Sequence, residues 1–167
     1  DLGEERHHLA RQKTERHLLA RSTNGGISWT VEDPGKKGSL LLPNNGVFHG
    51  QLRTDVAPEE PIDLLEPVDF LHPDLAITVR TDNIHTGQSR FWYSYDRGQN
   101  WRGPHLLPNL GTPGIAARTD YQLYSNHEAL LFVTSAKEDG REGRPVVLRT
   151  DDGGLTWRLL SYIGNEP

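Results

Sequence analysis

Arg118 is the residue in this chain best suited to chemistry, within Ile115-Ala116-Ala117-Arg118-Thr119-Asp120-Tyr121. A guanidinium stays charged and grips a carboxylate through two parallel N–H bonds. Asp120, two residues on, offers Arg118 an ion pair instead, so ligand binding and a salt bridge both stand open. His72-Pro73-Asp74 puts an acid at the start of a strand, where Pro73 also fixes how the chain enters it. His49 and Arg80 belong to the same half of the chain. The segment Lys137-Glu138-Asp139-Gly140-Arg141-Glu142-Gly143-Arg144 carries two further carboxylates of interest, Asp139 and Glu142, on what is otherwise a charged surface turn. The eight histidines show no metal-ligand spacing such as H-E-x-x-H, and His7, His8 and His17 read as solvated. No Gly-rich phosphate loop and no nucleophile elbow occurs, so neither a metal nor a cofactor is expected.

These residues need strands to position them, and an internal repeat supplies the plan. Three segments match: Ser22-Thr23-Asn24-Gly25-Gly26-Ile27-Ser28-Trp29, Ser94-Tyr95-Asp96-Arg97-Gly98-Gln99-Asn100-Trp101 and Thr150-Asp151-Asp152-Gly153-Gly154-Leu155-Thr156-Trp157. Each has a hydroxyl seven before the Trp (Ser22, Ser94, Thr150), Asp or Asn five before it (Asn24, Asp96, Asp152) and Gly three before it (Gly26, Gly98, Gly154). Apolar or alternating residues flank each one, which predicts a β-hairpin around an Asp/Gly turn. The carboxylate or amide oxygen accepts backbone N–H groups in the turn, Gly supplies a positive φ, and the Trp covers the hairpin base.

Composition agrees with short strands. Of 167 residues, 34% are hydrophobic and 25% charged, and 17 Gly and 11 Pro interrupt any long helix. No apolar run is long enough for a transmembrane helix. A net charge of −5 without a basic block gives nucleic acid or anionic membrane no electrostatic attraction. With no Cys there is neither a disulfide nor a thiolate zinc site, and the absence of Met, together with an opening at Asp1, reads as a fragment.

The three segments resemble the Asp-box signature S-x-D-x-G-x-x-W, the bacterial neuraminidase repeat of sialidases and related β-propellers. The resemblance implies an all-β fold: about two and a half blades of a six-bladed propeller, the remaining blades lying outside the chain. A blade remnant would cover residues 1–33. A blade at 40–108 would hold an insertion at 53–69, and another blade would span 110–163. In blade order, Val47 to Leu52, Leu75 to Thr81, Phe91 to Tyr95 and Trp101 to Leu106 form the middle unit. Ile115 to Tyr121, Ala129 to Ser135, Arg144 to Thr150 and Trp157 to Tyr162 form the last. Arg118 and the later pair Leu130-Leu131 resemble the family's arginine strand, with Thr119-Asp120 in place of Ile-Pro. The implied activity is exo-hydrolysis of terminal sialic acid or a similar acidic sugar. Arg118 would then grip the sugar carboxylate beside Asp120, with Asp139 as acid/base, Glu142 as its substitute and Asp74 as a further acid. The partner implied is a glycan, and the location an exported one. A non-catalytic propeller that binds glycan or protein is the competing expectation, since the box also occurs in propellers that only bind.

Overall fold

The computed structural model describes residues 19–32, 47–48, 51–52, 60–81, 88–116, 120–139 and 143–164. Among them the chain is all-β, and no helix is long and apolar enough to cross a membrane. A hairpin of β1 (Leu19–Arg21) and β2 (Thr30–Glu32) comes first. A second sheet follows in the order β3 (Val47–Phe48), β4 (Gln51–Leu52), β5 (Ala76–Thr81), β6 (Ser89–Ser94) and β7 (Arg102–Leu106). The third runs β12 (Arg158–Tyr162), β11 (Arg144–Thr150), β10 (Ala129–Ser135) and β8 (Ile115–Ala116), with β9 (Tyr121–Leu123) also on β10. None of these sheets closes on itself.

Side-chain alternation explains how the second and third sheets face each other. In β10, Ala129, Leu131, Val133 and Ser135 are buried and the three residues between them half-buried. Directly opposite on β11, Leu148 and Val146 pair with Leu131 and Val133. Val79 of β5 and Phe91 and Tyr93 of β6 meet this surface, and with Ile115 they form one hydrophobic core. Fully burying a side chain such as Leu131 stabilises by about 1.5–3 kcal/mol. The hydroxyls of Thr81 and Ser89 both donate to the Ile115 carbonyl and fasten the two sheets at one end.

Two expectations about inner strands need correction. Val47 to Leu52 is not one strand antiparallel to β5. Val47–Phe48 and Gln51–Leu52 are two strands, β3 and β4, paired antiparallel, and β4 runs parallel to β5 with Gln51 opposite Thr81. Ile115 to Tyr121 is likewise interrupted. Ala116 stands opposite Thr134 and Tyr121 opposite Leu131, five positions along the inner strand against three on β10. The two pairings are therefore out of step by two residues, and β8 and β9 are separate strands on β10.

The Pro-rich insertion is a strap, described from residue 60, that wedges between the two sheets. The Ile62 N–H donates to Pro104 on β7 at 2.8 Å, Val68 N–H to Gly153 at 2.9 Å and Phe70 N–H to Asn126 at 2.7 Å. Val68 and Phe70 enter the shared core. Gly153 has φ +71° and a Cβ there would lie 2.5 Å from Pro67, so only glycine admits the strap this closely.

Candidate functional site

The three boxes fold alike. In each, the hydroxyl donates to the Oδ1 two residues on, at 3.1 Å for Ser22, 2.6 Å for Ser94 and 2.8 Å for Thr150. The hydroxyl oxygen itself accepts the N–H of the motif glycine, Gly26, Gly98 or Gly154, at 2.8–2.9 Å. Oδ1 of Asn24, Asp96 and Asp152 then accepts the N–H of Ser28, Asn100 and Thr156. Those three residues also bond back through their side chains, at 2.8, 2.6 and 2.6 Å. They belong to the device and are missing from the motif as read from sequence. The available signal was a hydroxyl or amide immediately before every box Trp. These bonds from Ser94 and Asn100 hold the Asp96 carboxyl down at about 2.

The Trp does not always cover its hairpin. Trp29 is 61% exposed, while Trp101 and Trp157 are half-buried. Trp157 packs edge-on against Phe91 of the neighbouring sheet at 6.3 Å, whereas among the described residues no sheet packs on Trp29. The residue before the motif glycine also takes a positive φ, and in the second box it is Arg97 at 61°. Arg97 is held there by Asp74: Nε to Oδ1 is 2.6 Å, and the Arg97 N–H donates to the Asp74 carbonyl at 2.9 Å. The Arg97 carbonyl in turn accepts from Arg21, which ties the first hairpin to the second box.

Both sheets carry their boxes at the same end. Ser94 pairs with Ala76 and Thr150 with Ala129, and the strap links the two corners. Asp74, just before β5, therefore lies at the box end, with His72 Nδ1 accepting its N–H at 3.2 Å. Asp139 lies just beyond Ser135, at the opposite end, and is exposed. β10 alone separates those ends by roughly 20 Å, so the two candidate acids are not brought together. Asp120 is exposed, and its carbonyl accepts the Phe132 N–H at 3.0 Å, placing it on the inner edge of the third sheet between β8 and β9. Arg118, Glu142, His49, His7, His8 and His17 lie outside the described residues.

Sequence reading singled out Arg80 but not its neighbour across the ladder. Arg80 and Arg90 stand directly opposite on β5 and β6, on the face turned away from the third sheet. Arg80 donates from Nη1 to the Val79 carbonyl at 3.0 Å, its Nε has no hydrogen-bond partner, and burial pulls its pKa down. Among the described residues no group of three His, Asp or Glu side chains gathers closely enough to hold a metal ion. No protein-family model matches this chain, and no curated protein does.

Proposed function

We propose that the chain forms about two and a half blades of a six-bladed, sialidase-like Asp-box propeller that releases a terminal sialic acid or similar acidic sugar. The observation that supports this reading is the threefold recurrence of one turn, with the same hydroxyl-to-carboxylate or hydroxyl-to-amide locks. In the second and third sheets that turn joins the outer hairpin of an antiparallel meander, and both turns emerge at one end. In this reading Arg118 holds the sugar carboxylate through a bidentate pair, beside Asp120. Asp139 is the acid, because it stands at the end free of boxes. Asp74 serves as the anchor of Arg97.

The competing reading is a propeller that binds glycan or protein without cleaving it. The wide separation of Asp74 from Asp139, and the engagement of Asp74 by Arg97, favour it. Hydrolysis of a chromogenic sialoside by the full-length protein separates the two. The enzyme reading expects turnover by the wild type and a loss of about ten- to a hundredfold in Arg118→Lys, which keeps the charge and loses the fork. Equal activity of the two proteins removes Arg118 from the site. Sialoside binding without turnover by the wild type establishes the binder instead.

A further inference from the structure

His105 is a buried titratable group for which the proposed sugar chemistry has no use. It lies on β7 and is 5% exposed. Its Nδ1 is 3.0 Å from the Ile62 carbonyl oxygen. A carbonyl only accepts, so Nδ1 carries the proton and donates. The other ring nitrogen, Nε2, is buried with no hydrogen-bond partner. The ring centroid lies 5.2 Å from that of Phe91 and 5.7 Å from that of Tyr93. Ile62 is thus held at both backbone polar groups, its N–H by Pro104 and its carbonyl by His105. These two bonds secure the first part of the strap to the second sheet, whereas Val68 and Phe70 secure the later part to the third.

We propose that His105 is a pH-operated latch for the strap. The neutral imidazole, protonated at Nδ1, holds residues 60–66 against β7, and proton uptake at Nε2 releases them. An imidazolium carries N–H at both nitrogens. The new donor at Nε2 has no acceptor in the closed seam, and an unpaired buried donor is costly. Opening the strap gives it water. The groups around the ring do not relieve this cost. Tyr93 faces it from β6. From β7, Arg102 brings a cation that sits 5.8 Å from the Tyr93 ring and 5.3 Å from that of Tyr95. On the strap, Glu60 and Asp63 are exposed to solvent. From the third sheet comes Trp157, which reaches Phe91 and carries no charge. Release uncovers the apolar seam that Leu64 helps to close.

Amide hydrogen exchange tests the latch, comparing strap residues 60–66 with β10 at about pH 7.5 and about pH 5 after correction for intrinsic exchange. In the wild type, strap exchange is expected to rise about tenfold or more at the acid pH while β10 stays protected. His105→Asn donates from near the Nδ1 position and does not titrate, so its strap is expected to stay closed at both pH values. Unchanged strap protection in the wild type overturns the latch. So does simultaneous loosening of strap and β10, or an Asn variant that opens like the wild type. If His105→Asn folds poorly, the wild-type comparison decides alone.

Discussion

At the residue scale, the box carboxylates are turn locks, and the chain contains its own control. Asn24 accepts the Ser28 N–H at 2.9 Å without a charge, as Asp96 accepts that of Asn100 at 2.8 Å. The charge therefore adds a pH dependence to a bond that the neutral amide also makes. The Ser94 hydroxyl, then the Asn100 amides, bring the Asp96 carboxyl from 3.8 to about 2. A depressed folded-state pKa contributes stability above the unfolded value, and that contribution is lost as the pH falls through the folded one. Asp96→Asn is expected to flatten the stability profile between about pH 4 and about pH 2 and to lower neutral-pH stability toward the level the wild type keeps once this carboxyl is protonated. Asp96→Ala removes the acceptor and should cost about 1 kcal/mol, as loss of a capping side chain does. Urea denaturation across that range checks both, and an acid limb in Asp96→Asn as steep as the wild type's would remove the carboxylate from the account.

At the scale of elements, one motif sits in unequal surroundings, which makes its Trp residues informative. Trp157 packs on the core and touches Phe91, while Trp29 is 61% exposed. Trp157→Ala should therefore cost about 2–4 kcal/mol and Trp29→Ala less than about 1 kcal/mol, since truncation costs track burial. Denaturation midpoints measure the difference, and equal losses would show that the Trp acts within its own turn. The elements also show what the sequence makes legible. β10 and β11 take the bounds read from the sequence, and one face of each is buried, in β10 along its whole length and in β11 from Val146 onward. The strap has no such period, and its packing depends on Gly153, far away in sequence. Arg97 at positive φ was equally hidden, since Asp74 holds it there from another element. The separation of Asp74 from Asp139 was hidden for a related reason: their sequence positions do not say which end of a sheet each occupies. Only the register of β5, β6 and β10 supplies that.

At the scale of the whole molecule, apolar side chains collect at the two flanks of the core. The first hairpin exposes Ile27 at 87% and Val31 at 64%. Across the molecule, every residue of β12 is exposed, Leu160, Tyr162 and the following Ile163 by 41–46%. β12 is also the edge of its sheet, and an exposed apolar edge strand offers unpaired backbone groups to another chain. The outer edge of β7 is managed differently, because the strap bonds to Pro104 and His105 there. Among the described residues no strand pairs with the outer edge of β12, which predicts concentration-dependent self-association of this chain. Leu160→Lys combined with Ile163→Lys should suppress it with a stability change within about 0.5 kcal/mol, since both positions are at the surface. Sedimentation velocity over a concentration series measures the effect. A wild type that sediments as a monomer at every concentration would show that the edge is inert. Association undiminished in the double variant would move the contact to the first hairpin, where Ile27→Lys is the corresponding probe.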